Sequence, residues 1–327
     1  MWFEHPDGRV AVEDLGDGRR LLVVHENPGV FVSVRECVTT YPDDLIALIV
    51  SAKGPSYVGD EVSRDEDRTY VTRSLRYGLL GYVPEEAFRG ARILDFGSGS
   101  GASTAVLSRM FPDAEIIGVE LVPELIAIAR RRAEHHGLTK LTFIESPDPS
   151  RLPDGIGEFD FINVGAVYEH LLPDERPRLM PQLWSALKVG GVIFVNQLPY
   201  RYYPIEAHTT GLPLINYLPD RLTLAAAKKF SPRIGPDATW PRLLRDGIRG
   251  GSDRSVKRDL ERGGGDAVLL TPTQMGLHDH ADLWFRDSYE GRPHPLKRVM
   301  RLSFKAASRL TRTTVAPGLS LAFEKRA

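Results

Sequence analysis

Ile93-Leu94-Asp95-Phe96-Gly97-Ser98-Gly99-Ser100-Gly101 is the stretch that decides the fold. A short apolar run carrying one aspartate reads as a strand, and three glycines at alternate positions close it. Glycine lets the backbone turn sharply and approach a ligand where a Cβ would collide. Residues 102–110 read as a helix, whose first N–H groups suit a carboxylate or a phosphate.

Regular alternation continues outward from that turn. Residues 115–120, 141–145, 159–164 and 192–197 read as strands, with helices over 123–136 and 176–187 between them. Strands alternating with helices make βαβ units and a mainly parallel sheet covered on both faces. The predicted class is α/β, Rossmann-like and doubly wound. Towards the N-terminus, residues 21–24 and 30–34 read as strands, 45–50 and 70–82 as helices, and 60–68 as a charged stretch, either a solvated face or a lid over the cofactor. After Pro199 the regularity fails. Residues 221–262 read as interrupted helix, 250–265 as a flexible loop, and 281–285 and 319–324 as the last two strands of the sheet.

Composition narrows the class without choosing within it. The chain has 327 residues, 42% of them hydrophobic and 26% charged, as in ordinary soluble domains. A formal net charge of -1 gives no global field that draws nucleic acid; residues 292–301 form a local basic stretch. No recognition helix or zinc-finger spacing is present, so nucleic acid is not an expected partner. Cys37 is the single cysteine, which rules out an intrachain disulfide. No apolar run approaches the roughly 20 residues that span a bilayer, and no signal peptide is recognisable. A cytoplasmic chain is expected, and its N-terminal strands suit pairing into a homodimer.

Glycine spacing discriminates between cofactors. A nicotinamide oxidoreductase wants Gly-x-Gly-x-x-Gly around a pyrophosphate, whereas here the third glycine, Gly101, falls one position short and Asp95 crowds that group. The zwitterionic amino-acid end of S-adenosylmethionine tolerates the carboxylate. Glu120 closes the second strand about 25 residues after Asp95, where an acid accepts both ribose hydroxyls. A non-catalytic nucleoside-binding module is the other alternative.

With these residues in place, the chain resembles the class I S-adenosylmethionine-dependent methyltransferases over roughly residues 90–200. The resemblance makes 93–101 their glycine-rich first motif, with Gly97, Ser98, Gly99 and Gly101 beside the methionine moiety, and Glu120 with Leu121 the ribose segment. It makes Asp148 the acid that bonds the adenine amino group. Phe159-Asp160-Phe161-Ile162-Asn163 resembles the fourth-strand motif, which puts Asn163 under the methyl donor. It implies seven strands, an N-terminal extension over 1–85, a methyltransferase domain over 86–327 with a substrate-side insertion at 199–280, and S-adenosylhomocysteine as product.

Open α/β sheets bind ligands beyond the C-terminal ends of their strands. Tyr168-Glu169-His170 follows strand four, and Tyr200-Arg201-Tyr202-Tyr203-Pro204-Ile205-Glu206-Ala207-His208 follows strand five. His208, with Glu206 as its orienter, is the first candidate for a general base, and His170 the second. The aromatic and hydroxyl-rich character points to O-methylation of a saccharide or another hydroxylated metabolite. The alternative is C- or N-methylation of a quinone, lipid or small natural product. His278-Asp279-His280-Ala281-Asp282 has divalent-metal ligand types, but their local clustering suits a solvated loop better, so no metal site is expected.

Overall fold

A computed structural model describes residues 1–67, 69–289 and 294–327. Arg68, at the end of the charged stretch, and Arg292, at the start of the basic one, lie outside the described residues. Among those described, no helix is long and apolar enough to cross a membrane.

The chain opens with β1 (Trp2–His5), β2 (Gly8–Gly16), β3 (Arg19–Glu26) and β4 (Glu36–Thr39), an antiparallel sheet in that order. Helices α1 (Asp43–Lys53), α2 (Val58–Glu66) and α3 (Val71–Leu80) follow. The central run is β5 (Arg92–Phe96), α4 (Ala102–Met110), β6 (Glu115–Glu120), α5 (Pro123–His135), β7 (Leu141–Glu145), β8 (Phe159–Gly165), α6 (Arg176–Ser185) and β9 (Leu187–Pro199). Then come α7 (Asp220–Phe230), α8 (Trp240–Arg245), α9 (Asp253–Glu261), β10 (Asp266–Leu269), α10 (His280–Asp287), α11 (Pro295–Thr311) and β11 (Gly318–Arg326). The second sheet runs β10-β11-β9-β8-β5-β6-β7. Its pairs β5–β8, β6–β7 and β8–β9 are parallel, and β11 is antiparallel to both neighbours. The expected doubly wound, mostly parallel seven-stranded sheet is therefore present.

Two compact units divide the chain, residues 1–75 with 97–145 and residues 76–96 with 146–327. In the first, Val10, Val12, Leu22 and Val24 of the small sheet pack with Tyr41, Leu45, Ile46, Ile49, Val58 and Val62 in one core. In the second, Phe88 stacks on Phe161 at 4.3 Å between ring centres, and Phe161 lies 6.1 Å from Phe194.

Four expectations are corrected. Residues 30–34 are a loop, because β3 pairs with Glu36–Thr39 and places Val23 opposite Glu36. Residues 281–285 lie in α10, where the Asp279 side chain caps the first turn by accepting from Asp282 N; the edge strand is β10. Residues 250–265 are not a flexible loop. Ser252 and Ser255 cap each other reciprocally and start α9. The charged stretch is no lid, since α2 buries Glu61 and Asp65.

Candidate active site

In the first unit, the glycine turn is tied to the end of β6 by Gly97 N and Ser98 N, which both donate to Val119 O at 2.8 and 3.0 Å. Gly97, Gly99 and Gly101 have φ of +74°, +55° and +76°, a region L side chains rarely adopt. Beside Gly99 a Cβ would meet nothing within 4 Å, so that face is open to a ligand. Beside Gly101 a Cβ would stand 2.7 Å from Ala129 Cβ, so this glycine serves the close packing of α5. Glu120 braces the same turn. Its Oε2 accepts from Gly99 N at 2.9 Å, and its Oε1 from Leu121 N and Val122 N at 2.8 and 3.0 Å. Oε2 keeps a second lone pair, which fits a ribose hydroxyl. Leu121 is exposed beside it.

Ser100 is held from behind by buried charges. Its Oγ donates to both Glu61 oxygens, at 2.8 and 2.7 Å, and its carbonyl accepts from Arg132 Nη1. Arg132 also reaches Glu61 Oε2 at 2.6 Å and Asp65 Oδ2 at 3.1 Å. Tyr41 OH, His136 Nε2 and, on Oδ1 at 2.7 Å, Arg109 Nη2 complete the shell of Asp65. Burial pushes the Glu61 carboxyl up; the Arg132 and Lys53 cations and the hydrogen bonds outweigh it and bring it down to about 2. The sequence reading missed this brace.

In the second unit, Asp95 is buried, and its Oδ1 accepts from Asn163 Nδ2 at 2.7 Å. Asn196 Nδ2 donates in turn to Asn163 Oδ1 at 3.3 Å, making a polar row from β5 through β8 to β9. Asn196 Oδ1 has no partner, and Gly78 packs against the amide so closely that a Cβ would stand 2.8 Å away. Asn196 was also missed. Asp148 accepts from Ser150 N and Oγ, both at 2.8 Å, which sets its turn and lowers its carboxyl below the usual range.

The segment after β9 walls a cavity of about 300 Å³ with Tyr200, Tyr203, Glu206, His208, Asn216 and Arg249. Glu206 does not orient His208. Its oxygens accept from Thr209 N, Thr210 N and Thr210 Oγ1, so it staples its own loop. His208 Nδ1 lies 3.1 Å from Asp246 O, and His170 Nδ1 lies 2.7 Å from Arg245 O. A carbonyl oxygen only accepts, so each Nδ1 carries the proton and each Nε2 a lone pair. The fold thus brings the two histidines together, with ring centres 5.4 Å apart. Glu169 beside them is 1% exposed, neither of its oxygens has a hydrogen-bond partner, and burial pushes its carboxyl up to about 7.

The 278–282 cluster is otherwise employed. Asp279 caps α10, and Lys305 Nζ spans Asp279 Oδ2 and Asp282 Oδ1 at 3.1 and 2.6 Å. His280 is buried, which pushes it down to about 4.

Comparison with known proteins bears on this geometry. A family model described as a methyltransferase domain matches residues 93–191. A demethylmenaquinone methyltransferase of Thermus thermophilus is 33% identical over 108 residues, 33% of this chain and 47% of that protein. Trans-aconitate 2-methyltransferases of Methylobacterium radiotolerans and Deinococcus radiodurans are 39% and 31% identical, over 37% and 48% of this chain and 42% and 51% of their own lengths. The chain thus spans about half the length of the curated relatives it matches. The matched residues include the open glycine turn and the acid with a spare lone pair, both of which suit S-adenosylmethionine. Residues 93–191 thus carry a methyltransferase domain, similar to those of the class I S-adenosylmethionine-dependent methyltransferases.

Proposed function

We propose that the chain transfers a methyl group to a hydroxyl oxygen of a small polar acceptor, a saccharide or another hydroxylated metabolite, held in the cavity after β9. His208 carries this reading. It lines the cavity, and the Asp246 carbonyl fixes its tautomer so that Nε2 is free to take a proton. A neutral hydroxyl is a poor nucleophile and needs such a base, worth about 10²–10⁴-fold in rate. The volume, at the low end of the roughly 300–1,000 Å³ of small-molecule sites, suits an acceptor the size of a single sugar.

S-adenosylmethionine supplies an electrophilic methyl on a sulfonium, and displacement there depends chiefly on alignment, about 7–11 kcal/mol. In this reading Glu120, Leu121 and the glycine turn are the cofactor residues of the first unit, and Asp95, Asp148 and Asn163 those of the second. His170 is the reserve base, while Glu206 shapes the loop that carries His208.

The test is a screen of pyranosides and hydroxy acids with isotopically labelled methyl donor, then His208→Ala on the acceptor found. Label on oxygen and turnover reduced by about 10²–10⁴-fold, with S-adenosylhomocysteine affinity retained, is the expected result. Label on carbon or nitrogen, or unchanged turnover, overturns it. A second reading, methylation of a quinone or of an anionic metabolite, is favoured by what the relatives' names say they act on. An acceptor that is already anionic needs no base, so it predicts an active His208→Ala enzyme.

A further inference from the structure

We propose that Glu169, His170 and His208 form a binding site for one first-row divalent transition-metal ion of the zinc type. One donor atom from each of the three lies within 4.8 Å of the other two. His170 Nε2 stands 3.9 Å from Glu169 Oε1.

Four further observations point the same way. Both imidazoles give Nδ1–H to carbonyls of successive residues, Arg245 and Asp246. Ligating histidines are oriented by outer partners of this kind, which present Nε2 to the ion. Glu169 is buried with both oxygens unpartnered, a costly state that a cation relieves. The nearby guanidinium groups are spent elsewhere. Arg176 donates to the main-chain oxygens of Leu171 and Glu169, and Arg245 forks onto Glu175 at 2.6 and 2.7 Å. Finally, the turn after α8 presses on the cluster at Gly247, where a Cβ would stand 2.9 Å from His208 Cε1 and 3.2 Å from Glu169 Cγ.

Two imidazoles and one carboxylate suit zinc, nickel, cobalt or iron rather than magnesium or calcium. Three protein ligands leave coordination positions open. His208 is exposed, so its ring is the side from which an ion enters and the part that moves inward to close the set.

Binding is read on the full chain without reference to methyl transfer; His208 Nε2 cannot at once ligate an ion and take a proton, so the base role of the proposed function belongs to the metal-free chain, and failure here leaves that reading standing. The chain, stripped with a chelator, is titrated with Co²⁺ by visible absorption and with Zn²⁺ by calorimetry, in the presence of excess Mg²⁺. One equivalent bound, with a d–d band and an affinity weakened by about 100-fold in both His208→Ala and Glu169→Gln, is the expected outcome. His208→Ala alters an exposed side chain and keeps the test decisive should Glu169→Gln fail to fold. Zn²⁺ binding no weaker in His208→Ala than in the parent chain, or displacement by Mg²⁺, overturns the proposal. So does an absence of stoichiometric binding.

Discussion

The two units bury polar groups in opposite ways. In the first, Arg132, Glu61 and Asp65 are almost wholly buried, yet each is met by an opposite charge, and Tyr41, Ser100 and His136 fill the remaining valences. Among the described residues of the first unit Ser98 Oγ, on the glycine turn, is buried without a partner, whereas in the second Glu169, Asn196, Asn216 and Arg249 each hold at least one such side-chain atom. A satisfied buried network rigidifies, whereas an unsatisfied buried group costs free energy unless something else completes it. The charged network of the first unit therefore reads as scaffold for the glycine turn, and the orphaned groups of the second as positions that a ligand can complete.

The largest effect that would break this contrast concerns Arg132. Arg132→Met leaves Glu61 with Lys53 alone and Asp65 with Arg109 and His136, breaks the buried ion-pair network at its centre, and should cost about 3–5 kcal/mol in urea unfolding. Glu169→Gln, measured without metal, should stay within about 1 kcal/mol of the parent chain or exceed it, because no partner is lost. Equal losses would mean that the two regions do not differ.

Acid unfolding sharpens the same comparison. Glu61 titrates at about 2 in the folded chain against an ordinary 4.5. Its stabilisation is complete above about pH 4.5 and is lost as pH falls through 2. His280, kept neutral by burial, sits at about 4 against 6.5, so its contribution is lost earlier, between pH 6.5 and 4. His280→Leu should abolish the early limb and spare the late one, and Arg132→Met should do the reverse. A stability profile with neither change refutes the assignment of the limbs.

Smaller effects belong to the turn itself. Glu120→Ala removes the acceptor for three backbone N–H groups and should weaken S-adenosylhomocysteine binding by about 10–100-fold, or 1.5–3 kcal/mol. Ser100→Ala should cost about 1 kcal/mol of stability. If Ser100→Ala matched Arg132→Met in stability, the hydroxyl rather than the guanidinium would be the keystone.

What could be read from the sequence follows from how local each signal is. The glycine turn, Glu120 and the alternation from β5 to β9 are local patterns, and all were legible. β1 and β2 were not, because β2 buries only Gly8, Val10 and Val12 while its far end is polar. Residues 281–285 misled because a short apolar run has no period of its own; Asp279, three residues ahead of Asp282, was the overlooked cap. Glu61 and Asp65 stand four apart, which puts both on one helix face, but their partner Arg132 lies 71 residues from Glu61. The Glu169–His170–His208 cluster likewise joins two distant loops. Glu206 and His208 are neighbours in sequence, yet their side chains bond in different directions.

The link from Ser100 through Glu61 to Arg132 bears on how the chain can be cut. Residues 93–191 alone match the family model, which invites trimming to a minimal catalytic core. Such a fragment would keep Arg132 and Ser100 and discard α2, leaving the guanidinium without either of its anions and Ser100 without its brace. The portable piece of this protein therefore begins no later than residue 58.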